Sequence, residues 1–257
     1  MLGAIVGDVI GSVHEFRGTK TKDFPLFVPR STFTDDTVLT VAIAEWILTG
    51  HNLADLLHTY TEAYPERGYG LRFYHWATSR DREPYNSFGN GSAMRVSPVG
   101  FASQTLEEVL AWSKQSAEAT HNHPEGIKGA QATATAVYLA RRVHDRDQIR
   151  QALETQFGYD LSLRLEQIRP TYFFNETCQK TVPQALAAFF ESVSFEDAIR
   201  NAISLGGDAD TLACIAGGVA EAYYGGVPRE LAAPVVAMLD RRLVAVIDQF
   251  RERFGLG

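Results

Sequence analysis

Cysteine is scarce in this chain. Only Cys178 and Cys214 occur in 257 residues, and they form no spaced framework. That excludes a disulfide scaffold and leaves no CxxC pair for a structural zinc site. A reducing compartment is the simpler reading. Basic charge is also short, with 24 Lys plus Arg against 31 Asp plus Glu and a formal net charge of −7. No dense basic tract offsets this, so bulk attraction to nucleic acid is not expected. Long apolar runs are missing. The apolar opening MLGAIVGDVIGSVHEF is interrupted by Asp8, lacks a basic leader and is too short to span a bilayer. It reads as a buried first helix of a cytoplasmic protein with no membrane partner. No linker, low-complexity tract or internal repeat divides the chain, so residues 1–257 are read as a single domain.

Alternating strand patterns are nearly absent; Thr171 to Phe174 is the only short β-like stretch. Helical periodicity and punctuation fill the rest. DDTVLTVAIAEWILTG is a strong helix stopping at Gly50, NLADLLHTYTEAY stops before Pro65, and Pro124 suits the first turn of PEGIKGAQATATAVYLARRVH. Gly3, Gly7 and Gly11 are spaced by four and share one helix face, where a second helix can approach closely. The expected fold is all-α: a compact orthogonal bundle of about ten or more helices. The helices following Asp36 and Asp208, rich in Ala, Gly and aliphatic residues, belong near its centre.

Two acidic clusters sit where helices begin: Thr34-Asp35-Asp36-Thr37 and Gly206-Gly207-Asp208-Ala209-Asp210-Thr211. One such cluster alone reads as helix capping. Two change the reading, because capping needs one carboxylate per helix and adjacent aspartates repel. Both helices are apolar after the first turn, so uncompensated charge there would be expensive. Four carboxylates with threonine hydroxyls make a hard all-oxygen set that suits Mg²⁺ or Mn²⁺, not zinc. Glu15, from its spacing alone, reads as a solvated residue at the end of the first helix. Gly89-Asn90-Gly91-Ser92 can expose consecutive backbone N–H groups ahead of a helix and cradle phosphate, although Gly-Asn-Gly is also an ordinary turn. Arg95 either meets an anion or braces the fold. His121 and His123 lack a third ligand at zinc spacing, so a turn lining a ligand pocket is preferred.

Taken in order, GAIVGDVIGSVHEF, FTDDTVLT, SFGNGSAMRVSPVG, THNHPEGIKGA and AISLGGDADTLACIAGG resemble the ADP-ribosylglycohydrolase family from Gly3 to about Pro228. The resemblance implies an all-α hydrolase with two divalent metal ions in a cleft, Mg²⁺ first and Mn²⁺ second. By motif match, Thr34, Asp35 and Asp36 would bind metal from one side and Asp208, Asp210 and Thr211 from the other. Glu15 matches an acidic residue that gates or assists catalysis, with Asp36 the other catalytic candidate. Gly89, Asn90, Gly91 and Ser92 match the loop holding the ADP-ribose phosphates, and His121 a ligand-binding histidine. The implied partner is an ADP-ribosylated protein or other acceptor, with free ADP-ribose as product. Ala209 departs from the Ser or Thr that often separates the two aspartates, at a position not expected to coordinate. Two rivals are a metal-dependent phosphohydrolase, which would release AMP or phosphate, and a non-catalytic ADP-ribose-binding module, which would be expected to have a damaged metal set.

Overall fold

Fifteen α-helices make up the regular structure of residues 1–256, which the computed structural model describes. Among these residues there is no β-strand, only one isolated bridge between Gly89 and Thr177. Thr171 to Phe174, the one stretch with a β-like pattern, runs as turn and loop. No helix is long and apolar enough to cross a membrane. The helices anticipated from periodicity are present, three of them with Gly50, Gly225 and Gly255 in the left-handed conformation at their C-caps, and an unanticipated one, Arg146–Phe157, ends at Gly158 in the same way. The apolar C-terminal segment is two helices, Arg229–Val236 and Arg241–Phe254, because Asp240 caps the second by accepting from the N–H groups of Arg242 and Leu243.

The centre of the molecule is the pair formed by Leu2–Gly11 and Ala209–Tyr224. Every residue of the first helix is buried. A Cβ added to Gly3 would lie 2.3 Å from the Gly217 carbonyl oxygen, one at Gly7 2.1 Å from that of Ala213, and one at Gly11 2.5 Å from Asp210 Cα. From the other side, a Cβ on Gly217 would reach within 2.2 Å of the Gly3 carbonyl oxygen. The two backbones therefore touch without side chains between them, and only glycine permits this. This seam brings Asp8 beside Asp210, which lie 202 residues apart in sequence (210 − 8).

Helix Asp35–Thr49 packs on the same unit, burying Val38, Leu39, Val41, Ala42 and Ile43. Pro124–Arg142 presents Gly129, Ala130, Ala132, Ala134, Ala136 and Ala140 inward. The core is therefore built from small and aliphatic residues on helices that contact several neighbours, and Leu2–Gly11 ends at the common end where Asp35–Thr49 and Ala209–Tyr224 begin.

Candidate active site

That common end carries the acidic clusters. Thr34, not an aspartate, caps the Asp35–Thr49 helix: its hydroxyl oxygen accepts from the Asp36 N–H at 3.3 Å. The Ala209–Tyr224 helix has no side-chain cap. Asp208 instead accepts from Asn90 Nδ2 at 2.7 Å. The carboxylates are thus not consumed by capping. Asp36, Asp208 and Asp210 are buried, Asp35 is partly exposed, and Thr211 donates across to Asp36 Oδ2 at 3.3 Å. Asp36 Oδ1 is buried without any hydrogen-bond partner.

Asp8 joins this group, although its position within a Gly-rich apolar helix gave no sequence signal beyond a charge in an otherwise apolar segment. Its carboxylate accepts from Thr34 N at 2.9 Å, Thr34 Oγ1 at 2.7 Å, Thr37 N at 3.1 Å and the Thr37 hydroxyl. Asp8, Asp36 and Asp210 each bring an oxygen within 4.8 Å of the others, and Glu15, Asp208 and Asp210 do the same. Asp210 belongs to both groups. Glu15 is therefore not a solvated helix end. The helix stops at Gly11, and a run of turns folds Glu15 back over the carboxylates, half-buried.

Burial, and then mutual repulsion, raises these acids. Glu15 is pushed up to about 8, first by desolvation and then by Asp210, Glu176 and Asp8. Asp208 rises to about 6 by burial, against the hydrogen bond from Asn90. Asp35, Asp36 and Asp210 are held well above the usual carboxylate range by burial, then by neighbouring carboxylates. Asp8 is raised by burial despite its hydrogen bonds. Among the described residues no Lys or Arg forms an ion pair with any of them. Crowded, desolvated carboxylates with an orphaned oxygen and no protein cation are the donor set of a divalent-cation site, and two overlapping triads suit two ions.

The cluster floors one end of a cleft of roughly 270 Å³. Gly89, Asn90 and Gly91 with His121 also line it, joined by Arg72, Tyr85 and Arg95. The phosphate-cradle reading needs correction in three details. The Asn90 side chain turns away to Asp208 and Thr181, and its N–H donates to the Glu176 carbonyl at 2.7 Å. The Ser92 hydroxyl is buried and donates to the Gly126 carbonyl at 2.8 Å, so it braces the loop from behind. The helix that follows is a single turn, Gly91–Met94, too short for a strong dipole. Gly91 faces His121: a Cβ there would sit 3.1 Å from His121 Nε2. His123 caps helix Pro124–Arg142 by accepting from the Glu125 N–H, and lies outside the cleft lining. Thr34 likewise does not line the cleft; its hydroxyl donates to Asp8. Glu176 and Arg72, absent from the sequence reading, also line the walls, Glu176 from a loop and Arg72 from the short helix Leu71–Ala77.

The sequence model described as ADP-ribosylglycohydrolase matches residues 1–256. The chain belongs to the ADP-ribosylglycohydrolase family. It is 26% identical to the ADP-ribosylhydrolase ARH3 of Xenopus tropicalis, over 88% of this chain and 86% of that one. It is 25% identical to the ADP-ribosylarginine hydrolase Tri1 of Pseudomonas putida (strain GB-1), over 90% and 71%. A solved structure described as an ADP-ribosylglycohydrolase-related protein complex superposes with a TM-score of 0.66 at 26% identity, covering 95% of this chain and 94% of its own. The resemblance seen in five short motifs thus extends through the whole described fold of this ADP-ribosylglycohydrolase-family hydrolase.

Proposed function

We propose that this enzyme hydrolyses the bond between the anomeric carbon of ADP-ribose and a modified acceptor, foremost a protein side chain. The observation that carries the reading is the cleft itself: two overlapping carboxylate triads beside a glycine loop and His121. A bipolar ligand suits such a cleft, with ribose hydroxyls toward the acids and pyrophosphate toward the loop.

Asp8, Asp35, Asp36, Asp208 and Asp210, with Thr211, would hold two divalent ions, Mg²⁺ foremost. When bound, such ions would clamp ribose hydroxyls and acidify a water. Asp8 anchors Thr34 and Thr37 at the start of the Asp35–Thr49 helix and so fixes where Asp35 and Asp36 point. Asn90 orients Asp208. Glu15 lies at the rim of the acids, so its carboxylate is placed to take the proton from an attacking water as general base, with Asp36 the alternative. Bond cleavage passes through oxocarbenium-like charge, which the surrounding carboxylates stabilise. Gly91 lets the loop backbone approach the pyrophosphate, whose binding positions the distal ribose. Buried unpaired cysteines at 178 and 214 agree with a reducing, cytoplasmic setting.

The test is incubation with peptides carrying ADP-ribose on arginine or on serine, with magnesium, manganese or chelator, followed by mass spectrometry. Free ADP-ribose released only with metal is the expected product. AMP or phosphate would establish the phosphohydrolase reading, and binding without any product the non-catalytic one.

A further inference from the structure

Arg95 is the largest side chain that is wholly buried. It forms no ion pair among the described residues. Burial lowers its pKa, but only to about 10, so at neutral pH it is a cation and can only donate. Its Nη2 donates to the Ser116 carbonyl at 3.0 Å and to Thr120 Oγ1 at 2.8 Å, while Nε and Nη1 have no partner. Thr120 Oγ1 lies 2.6 Å from His121 Nδ1 and has no third partner.

The directions of these bonds follow from chemistry. Thr120 Oγ1 must accept from Arg95. Its own hydrogen then has one acceptor in reach, His121 Nδ1. A hydroxyl that donates to Nδ1 requires that nitrogen to be unprotonated. The proton of the neutral ring then sits on Nε2, which has no protein partner and lies against Gly89 and Gly91 in the cleft wall. The doubly protonated ring is disfavoured by burial first, and by Arg95 and Arg72 next. Tyr85, whose ring centroid is 6.0 Å away, is the other titratable group packed on His121 and stays neutral in this range.

We propose that Arg95 and Thr120 form a positioning relay that locks His121 as a neutral Nε2–H donor for an anionic oxygen in the cleft. The acceptor class is a phosphate or pyrophosphate oxygen, so this part rests on the ADP-ribose reading above. Arg95 sits at the back of this wall, wholly buried, and acts on His121 through Thr120. It biases the cleft twice over: by polarising the hydroxyl that fixes the tautomer, and by leaving an uncompensated positive charge behind that wall. The arrangement also explains why the buried guanidinium lacks a carboxylate, since a partner there would cancel the charge the pyrophosphate meets. A glycine at position 91 keeps the donor within reach, because any side chain would crowd Nε2.

The experiment is nitrogen NMR of ¹⁵N-histidine-labelled protein, with the His121 signals assigned by their loss in His121→Gln. It is paired with calorimetric titration of ADP-ribose. Wild type should show Nε2 protonated and Nδ1 bare, unchanged down to pH 5.5. Thr120→Val should give a mixed or reversed tautomer and bind ADP-ribose about tenfold more weakly, the worth of one hydrogen bond. Thr120→Ser, which keeps the hydroxyl, should restore both. A protonated Nδ1 in wild type overturns the relay. So does a Thr120→Val protein with the wild-type spectrum and affinity, or a Thr120→Ser protein that fails to restore either. If Thr120→Val does not fold, the wild-type and Thr120→Ser spectra decide. A wild-type spectrum as expected, with no ADP-ribose binding in any variant, would refute the ADP-ribose reading and with it the ligand class, but leave the tautomer lock standing.

Discussion

Asp210 is the residue on which the acids converge, shared by both triads and surrounded by charge of its own sign. On the proposed assignment its carboxylate burdens the metal-free fold and becomes a ligand when metal binds. Asp210→Asn is therefore expected to raise the melting temperature in chelator and to abolish most of the rise that magnesium produces in wild type. Calorimetry with and without metal reads both effects, and a variant that is less stable in chelator yet still responds to metal contradicts the assignment. Gly91→Val should act on the loop side of the cleft. A branched side chain beside His121 Nε2 should weaken ADP-ribose binding at least tenfold while leaving the metal-induced stabilisation intact, as titration and thermal melts would show. Asp35, Asp36, Asp208 and Asp210 were legible because paired aspartates at helix starts have no economical structural use. Asp8 was not, because a lone aspartate gives no pairing signal. Its role arises only when a helix 202 residues further on is laid against it (210 − 8). The side chains of Asn90 and Ser92 are engaged by protein groups for a similar reason: spacing shows that a loop can bend, not which way its side chains turn.

At the scale of elements, the glycine face of Leu2–Gly11 was legible and its partner was not. Spacing by four says that something approaches closely; that the partner is Ala209–Tyr224, itself carrying Gly217 at the contact, is a tertiary fact. The short helices Leu71–Ala77, Gly91–Met94, Ser97–Ala102 and Leu165–Ile168 also escaped the pattern, because one or two turns show too little periodicity to read. The seam makes a sharp prediction. Gly7→Ala places a methyl where the Ala213 carbonyl oxygen stands, a clash with backbone that cannot rotate away. Overpacking of this kind costs about 1–3 kcal/mol or more. Urea denaturation should show at least that loss. Since the same displacement moves Asp8 from Asp210, metal affinity should fall as well. A Gly7→Ala protein of normal stability would show that the two helices can part freely.

For the molecule as a whole, the raised acids set the pH dependence of the metal-free protein. Glu15 keeps its proton to about 8 and Asp208 to about 6 in the fold, against ordinary values of 4.5 and 3.8. Between those limits the folded state binds more protons than the unfolded chain, so stability falls as pH rises through this window. In chelator the melting temperature should therefore be lower at pH 8 than at pH 5, and saturating magnesium should remove most of that difference. A metal-free protein that gains stability from pH 5 to pH 8 would refute the assignment.

The glycine seam has a kinetic consequence. It joins the first helix to one that begins at Ala209, so it closes a very long loop, and such contacts are slow to form. The carboxylates are brought together only once it has closed. In refolding, magnesium should then leave the folding rate nearly unchanged, because the state that crosses the barrier has no assembled site to bind it. Its effect should fall on escape from the native state. Metal-loaded protein should unfold slowly and resist proteases under conditions in which the metal-free form is cut, and the chain would carry its longevity in an ion it acquires last.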